Sequence, residues 1–186
     1  MSSMPSRSIT TAEELLSLDE PGICYELVRG QLRRMSPAGQ WHSGVEMVLG
    51  ELLSHHVRVN KLGRAFPGDA GFLLARKPDT VLSPDVAFVT RERMPPPRSR
   101  GYFPGPPDLA VEIRSPGDRR RSLHERALSW LDHGARMVWV IDPIAANATV
   151  YRGKDDVREI GEDGDLLGED VVPGFRVALR ELFRTD

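Results

Sequence analysis

Two short stretches of alternating apolar residues in this chain each carry an isolated carboxylate. They are SPDVAFV at Ser83–Val89, which contains Asp85, and PDLAVEIRSP at Pro107–Pro116, which contains Glu112. The period of two predicts β-strands, with Glu112 and Arg114 on the face opposite to the apolar side chains. A carboxylate within an apolar strand is costly to bury unless it is paired, hydrogen-bonded or bound to a metal. Two such carboxylates on adjacent strands would suit one hard divalent cation.

Apolar residues at helical spacing predict three helices. The first spans Thr11–Leu18, where a threonine can cap the helix and two glutamates occupy its first turn. The second is an amphipathic helix over Trp41–Val59. The third covers about Asp118–His133, and a glycine follows it as a stop signal.

The other apolar segments predict strands. Tyr25–Pro37 alternates around Arg29-Gly30, which indicates an N-terminal hairpin, and Arg64–Val89 is interpreted as strand, hairpin, strand. Met137–Asp142 follows the third helix, so this helix is expected to connect two parallel strands in a βαβ unit. Ala148–Gly153 is expected to return as an edge hairpin. The predicted fold class is α/β, with a mixed central sheet flanked by helices.

Length and composition indicate one domain of ordinary size. The chain has 186 residues, enough to bury a full core without disulfides or metals. We expect residues 1–10 to be a flexible N-terminus and residues 11–186 to form a single domain. Arg91–Pro107, rich in Pro, Arg and Gly, has no periodicity and is expected to be a functional or mobile loop.

Several classes of protein are disfavoured by the composition. Cys24 is the only cysteine, which excludes an intramolecular disulfide and a cysteine-based zinc site. No apolar run approaches the ~18 residues of a membrane span, and the first residues lack the layout of a signal peptide. The chain is therefore expected to be cytoplasmic, with no membrane partner. With 25 basic and 27 acidic residues the net charge is −2, so any contact with nucleic acid must be local.

Arginine supplies nearly all of the positive charge. Lys61, Lys77 and Lys154 are the only lysines, and the other 22 of the 25 basic residues are arginine. A catalytic lysine therefore has three possible positions. The triplet Arg119–Arg121 opens the third helix, where positive charge opposes the helix dipole, and is interpreted as a clamp for phosphate groups.

Three polar side chains near helix starts receive structural interpretations. Ser115 is expected to cap the third helix rather than to bind phosphate. His42 and His124 lie at the starts of the second and third helices and are interpreted as surface residues rather than catalytic ones.

Taken in chain order, these motifs resemble the core of the PD-(D/E)XK nuclease superfamily and, in finer detail, its Uma-two branch of restriction-endonuclease-like proteins. The stretches that carry the resemblance are TAEELLSL, YELVRGQLRRMSP, the helix start at His42, DAGFLL, SPDVAFV, GYFPGPPDLAVEIRSP, the helix leading into HGARMVWVIDP, and VVPGFRV. They cover almost the whole chain, and their order and spacing are together specific. The resemblance implies a restriction-endonuclease-like core and metal-dependent hydrolysis of DNA phosphodiester bonds.

The resemblance also implies roles for individual residues. Asp85 would be the aspartate of the PD motif and Glu112 the second carboxylate, and both would bind Mg²⁺ or Mn²⁺. Asp69, on the preceding strand, is either a further ligand or a turn residue after Pro67-Gly68, and both interpretations stay open.

The chain departs from the family at the lysine. Arg126 stands at the position that usually holds lysine in this branch, and Arg114 stands at the other lysine position of the superfamily. Arginine stays protonated and cannot act as a general base. It can still hold a phosphate or neutralise charge in the transition state, so both arginines are candidate catalytic residues.

Two alternatives to an active endonuclease follow from this departure and from the apolar strands. The protein could bind nucleic acid without cutting it, or Asp85 and Glu112 could serve only in structural hydrogen bonds. The resemblance further implies a homodimer, because members that cut duplex DNA commonly pair two active sites. The long loop and the edge hairpin are the expected contact surfaces.

Overall fold

The computed structural model describes residues 9–18, 20 and 23–184. Residues 1–8 of the expected flexible N-terminus lie outside the described residues, as do the last two residues of the expected 11–186 domain. The helices are α1 (Ala12–Leu16), α2 (Gln40–Val59), α3 (Arg120–Asp132) and α4 (Leu179–Leu182), with a 3-10 turn at Arg91–Arg93. The strands are β1 (Tyr25–Val28), β2 (Gln31–Arg34), β3 (Gly63–Pro67), β4 (Phe72–Ala75), β5 (Thr80–Leu82), β6 (Val86–Thr90), β7 (Phe103–Pro104), β8 (Leu109–Ile113), β9 (Met137–Asp142), β10 (Asn147–Tyr151), β11 (Val157–Ile160), β12 (Asp165–Leu167) and β13 (Arg176–Ala178).

A six-stranded mixed sheet forms the centre, in the order β11-β10-β9-β8-β6-β3. The strands β8 and β9 pair in parallel, with Leu109 opposite Met137, and α3 connects them, which confirms the predicted βαβ unit. The interpretation of Ala148–Gly153 as an edge hairpin is wrong in one respect. The strand β10 lies between β9 and β11, so β11 forms the edge.

A second sheet has the order β2-β1-β5-β4-β7 and lies beside the first. The N-terminal hairpin β1–β2 is confirmed, and its turn residues Arg29 and Gly30 have φ values of 50° and 74°, as a tight hairpin turn requires. The predicted hairpin within Arg64–Val89 is β4–β5, which leaves the central sheet and pairs with β1. The expected loop Arg91–Pro107 contains the 3-10 turn and β7, which pairs in parallel with β4.

The three predicted helices are confirmed as α1, α2 and α3. In α1, Thr11 and Glu14 form a reciprocal capping box. The helix α2 buries Val45, Leu49 and Leu53 against one face of the central sheet, as its apolar spacing predicts.

The helix α3 covers the opposite face of the central sheet, where it buries Leu123, Ala127 and Trp130. The fold class is therefore confirmed as α/β, with mixed sheets flanked by helices. None of the helices in the described part of the chain is long and apolar enough to cross a membrane. The two long helices approach the central sheet from opposite sides: a polar residue of α2 contacts Asp85 just before β6, and one of α3 contacts Glu112 on β8.

Candidate functional site

Of the two predicted carboxylates, Glu112 lies on β8, whereas Asp85 immediately precedes β6, the antiparallel neighbour of β8, instead of lying within a strand as expected. Val86 of β6 pairs with Val111 of β8, so Asp85, just before β6, lies opposite Glu112. The backbone N–H of Asp85 donates to the carbonyl of Val111 over 2.9 Å, and the N–H of Ile113 donates to Asp85 Oδ2 over 2.6 Å. The strand register therefore fixes both the backbone and one carboxylate oxygen of Asp85.

The other oxygen of Asp85 points to helix α2. His42 Nε2 lies 3.1 Å from Asp85 Oδ1 and 3.9 Å from Glu46 Oε2. Among the described residues, His42, Glu46 and Asp85 form a group in which one ligand atom from each lies within 4.8 Å of the other two. We call these three residues the His42 cluster. His42 is 9% exposed, whereas Glu46 and Asp85 are 27% and 24% exposed, so the two carboxylates reach solvent.

Two neighbours fix the orientation of the His42 cluster. Ser115 Oγ lies 3.1 Å from His42 Nδ1, the ring nitrogen that faces away from Asp85. The backbone N–H of Gly68 donates to Glu46, and a Cβ at position 68 would lie 2.9 Å from Glu46 Oε1. The expected capping role of Ser115 is wrong, because α3 begins after Arg119 without a side-chain cap and the hydroxyl of Ser115 contacts His42 instead.

The electrostatics of the His42 cluster reflect an excess of negative charge. The hydrogen bond to Asp85 raises the pKa of His42, and burial opposes this effect only in part. Burial, followed by the charge of Asp85, raises the pKa of Glu46. Both shifts reduce the local negative charge by favouring bound protons, so a cation placed among these groups would be stabilised.

A second group of three side chains consists of two carboxylates and an arginine that donates hydrogen bonds to both. Arg126 Nε donates to Glu112 Oε1 over 2.7 Å, and its two terminal nitrogens donate to the carboxylate of Glu26 over 2.9 and 2.7 Å. The second of these nitrogens also donates to the carbonyl of Ser83 over 2.8 Å. We call Glu26, Arg126 and Glu112 the Arg126 cluster. Its guanidinium supplies an internal cation to two buried carboxylates.

Glu112 is deeply buried within the Arg126 cluster. It is 5% exposed, and Trp130 Nε1 donates to its Oε1 over 2.7 Å. Burial raises the pKa of Glu112 to about 7, and the charge of Asp85 adds to this effect, whereas Arg126 and Trp130 oppose it. Burial and the neighbouring carboxylates therefore favour the protonated form of Glu112 more than an exposed site would.

The remaining predicted site residues lie elsewhere. Asp69 is exposed and lines the rim of the pocket that contains the His42 cluster. Arg114 donates to Asp142 over 2.8 Å and, with Arg120, lines a separate pocket beneath α3. The structure thus brings Asp85 together with His42 and Glu46 and leaves Arg114 outside this group.

The two clusters differ in access. A pocket of about 590 Å³ is lined by all three members of the His42 cluster, together with Glu26, Asp69 and Ser83. Glu112 and Arg126 do not line this pocket. A ligand in the pocket would therefore meet the His42 cluster first.

Sequence reasoning missed His42, Glu46 and Glu26 as site residues. The interpretation of His42 as a surface residue is wrong, because its side chain is buried, whereas His124 is exposed, as expected for a surface residue. The spacing of His42 and Glu46, four residues apart on one face of a predicted helix, was the available signal. Glu26 in an apolar strand was a second, similar signal.

Comparisons with known proteins agree with this architecture. A crystal structure described as a putative nuclease belonging to DUF820 from Anabaena variabilis has the same fold, with a TM-score of 0.78 and 23% sequence identity over 93% of this chain and 97% of that chain. No curated protein matches the chain significantly. The model of the Uma2 (Uma-two) family, described as putative restriction endonuclease, matches residues 12–180. Because that match spans most of the sequence, the chain belongs to the Uma2 family.

Proposed function

We propose that this protein is a metal-dependent endonuclease that hydrolyses DNA phosphodiester bonds at the His42 cluster. The descriptions of the family and of the structural neighbour both name nucleases, which supports this reaction class. The observation that carries the proposal is the convergence of His42, Glu46 and Asp85 within 4.8 Å at the floor of an open pocket. An imidazole and two carboxylates form a donor set that binds divalent cations.

The donor set bears on which cation fits. Mg²⁺ prefers oxygen ligands and retained waters, whereas imidazole nitrogen favours the transition metals. Glu46 and Asp85 offer oxygens and His42 offers Nε2, so Mn²⁺ fits this set at least as well as Mg²⁺. Asp69 at the rim would be a further ligand, and Glu112 would join through Oε2, since Arg126 and Trp130 both donate to Oε1.

The protein side chains have defined tasks in this proposal. When bound, a divalent cation would supply charge stabilisation at the phosphate and a bound water of lowered pKa. His42 can bind through Nε2 while its Nδ1–H donates to the hydroxyl of Ser115, which would fix the ring and its tautomer. Gly68 holds Glu46 through its backbone N–H. Asp85 Oδ1 faces His42 Nε2, and because the N–H of Ile113 holds Oδ2, both Oδ1 and Nε2 would become ligands when a cation replaced the proton between them.

We propose different roles for the two candidate catalytic arginines. Arg126 makes its contacts within the Arg126 cluster, so it would act as a positioning residue that holds Glu112 rather than as a proton acceptor. Arg114 and Arg120 line the pocket beneath α3, where they would contact a phosphate next to the one being cleaved.

Cleavage of supercoiled plasmid in the presence of Mn²⁺ or Mg²⁺ tests the proposal. We expect Asp85→Asn to abolish cleavage, since it removes one charged ligand while preserving the shape of the side chain. Asp163→Asn, a matched change at an exposed position, should cleave as the wild type does. Cleavage that persists in Asp85→Asn would contradict the assignment.

A second candidate function is nucleic-acid binding without cleavage. It is favoured by the guanidinium that stands where the family usually has lysine, since none of the three lysines lines the pocket of the His42 cluster. In that case the wild type would bind DNA without cutting it. Arg126→Lys would then raise cleavage from zero, because an ammonium group can orient a water molecule where a planar guanidinium group cannot.

We also propose that the protein forms a homodimer, as pairing of two sites would allow both strands of a duplex to be cut. The edge strand β11, with one side unpaired in the central sheet, offers a contact surface. Light scattering at about 20 to 50 μM, well above a micromolar dissociation constant, tests this. A monomer at those concentrations would contradict it.

A further inference from the structure

A wide cleft lies beside the pocket of the His42 cluster. It has a volume of about 1020 Å³ and is bounded by β3, β4 and the segment from Arg91 to Pro104. Asp69 and Tyr102 line both this cleft and the pocket that contains the His42 cluster. A chain-like ligand lying in the cleft would therefore reach the candidate metal centre past these two residues.

The cleft concentrates positive charge. Five arginines line it, namely Arg64, Arg76, Arg91, Arg98 and Arg100. Asp69 is the one acidic residue among the described residues that line it. The chain as a whole carries a net charge of −2, so this balance is a local feature and does not follow from composition.

Four of these arginines have no internal partner. The side chains of Arg64, Arg91, Arg98 and Arg100 are exposed, and none forms an ion pair or hydrogen bond with any residue in the described ranges. The fifth, Arg76, pairs with Glu13 at 2.7 Å and with Asp79 at 2.9 Å.

Arginines in other parts of the fold are mostly engaged with carboxylates. Arg93, next to the cleft, lies 3.1 Å from the buried Asp108, and Arg136 and Arg152 each lie 2.7 Å from Asp170. Unpaired guanidinium groups gathered along one cleft are typical of a surface that binds phosphate groups.

The wall of the cleft is suited to an extended ligand. Three consecutive prolines, Pro95–Pro97, restrict the backbone, and both the N–H and the hydroxyl of Ser99 donate to the carbonyl of Pro96. This turn carries Arg98 and Arg100 on a constrained segment. Phe66 and Phe103 lie half-buried along the lining, where aromatic rings can stack with bases.

We infer that this arginine cleft binds the sugar-phosphate backbone of a nucleic-acid strand and directs it to the His42 cluster. The inference rests on the proposed function, because a phosphodiester must reach the candidate metal centre along some surface. Phosphate spacing along a strand provides repeated negative charges, which four separated guanidinium groups can neutralise without reading sequence. The same chemistry is offered by single-stranded and duplex DNA.

Binding without cleavage tests the inference directly. Fluorescence anisotropy would be measured in EDTA with labelled single-stranded and duplex oligonucleotides of about 20 nucleotides, at about 50 to 200 mM salt. We expect Arg64→Gln/Arg98→Gln/Arg100→Gln to weaken binding about tenfold or more and to reduce the slope of log affinity against log salt by about 2 to 3. The corresponding lysine triple variant should retain most of the affinity, since it keeps the charge.

A matched control removes the same charge from a distant surface. Lys154→Gln/Arg176→Gln/Arg180→Gln changes three exposed basic residues that line neither the cleft nor the pocket of the His42 cluster and do not lie on β11. This triple variant should bind as the wild type does. Tighter binding of the single strand would identify it as the ligand and would implicate the aromatic lining, whereas tighter binding of the duplex would identify the duplex.

The inference and the proposed function fail in different ways. Equal affinity of the cleft variant and the wild type, equal loss in the control variant, or a wild type that binds neither oligonucleotide would overturn the inference. If cleavage nevertheless depends on Asp85, the proposed function stands. Conversely, if the variants show the expected binding pattern but cleavage is unchanged by Asp85→Asn, the binding role of the cleft is supported and the proposed metal centre is overturned.

Discussion

The Arg126 cluster and the His42 cluster each place two carboxylates around one nitrogen-bearing side chain. The positive charge of that side chain is permanent in the first cluster and depends on pH in the second. Arg126 is always protonated and makes hydrogen bonds to Glu26, Glu112 and a backbone carbonyl, so that cluster carries its own cation. His42 is neutral or charged depending on pH, and its two carboxylates face an open pocket. The first arrangement is complete without a ligand, whereas the second leaves room for an external cation.

Removing the internal cation should have the largest effect on stability. Arg126→Ala leaves Glu26 and Glu112 buried without the cation that balances their charge, so we expect a loss of about 3 to 5 kcal/mol in the free energy of unfolding. Urea denaturation measures it. Arg121→Ala, which removes an exposed i,i+4 pair with Glu125 on the same helix, should leave the transition almost unchanged. Similar transitions for the two variants would mean that the Arg126 cluster does not stabilise the fold.

Glu112 should make stability depend on pH. Its pKa is about 7 in the folded protein, against 4.5 for an unperturbed glutamate, so the folded state binds the proton more tightly than the unfolded state. The resulting stabilisation is fully present below about pH 4.5, is lost as pH rises to about 7, and has an upper limit of about 3 kcal/mol. The difference in unfolding free energy between wild type and Glu112→Gln should therefore shift in favour of the variant as pH rises from about 5 to about 7. A difference that is flat across this range would contradict the assignment.

Occupation of the His42 cluster should stabilise the folded protein. At about 100 times its dissociation constant, Mn²⁺ would add about 2.7 kcal/mol by binding the folded state alone. Thermal unfolding with and without Mn²⁺ should show this gain in the wild type and not in Asp85→Asn. A gain of equal size in that variant would place the cation elsewhere.

Ser115 should have a smaller effect, through the orientation of His42. Ser115→Ala removes the hydroxyl at 3.1 Å from Nδ1, and the loss of such an outer partner weakens metal binding by about tenfold. Ser122→Ala, which changes an exposed serine on α3, serves as the control. Unchanged Mn²⁺ affinity in Ser115→Ala would show that the ring is held by other contacts.

The elements of the fold that depend on local pattern could be predicted from the sequence. The alternation after Asp85 and around Glu112 predicted the strands β6 and β8 and the face that Glu112 occupies, because side-chain direction in a strand has a period of two. The βαβ unit followed from a strand, a helix and an apolar strand at short spacing. The edge assignment of β10 failed because the identity of the next pairing strand, β11, depends on a turn-rich polar segment with a weak strand pattern.

The composition of the site could be predicted only in part. Asp85 has a local signature, but its contact with His42 joins residues that are far apart in the chain and depends on how α2 packs on the sheet. The orientation of Arg114 towards Asp142 likewise depends on the pairing of β8 with β9, which brings a competing carboxylate within 2.8 Å. Sequence can identify candidate side chains, whereas packing decides which partner each one takes.

Calorimetric titration with Mn²⁺ on two matched variants tests most directly whether the external cation binds at the His42 cluster, with Glu112 as an added ligand, rather than between the two carboxylates of the Arg126 cluster. Glu46→Gln and Glu26→Gln make the same chemical change, one in each cluster. We predict that Glu46→Gln weakens Mn²⁺ binding by at least about tenfold, since a charged ligand is lost, and that Glu26→Gln leaves the affinity within about twofold of the wild type. Loss of binding in Glu26→Gln with wild-type affinity in Glu46→Gln would contradict the division between the two clusters.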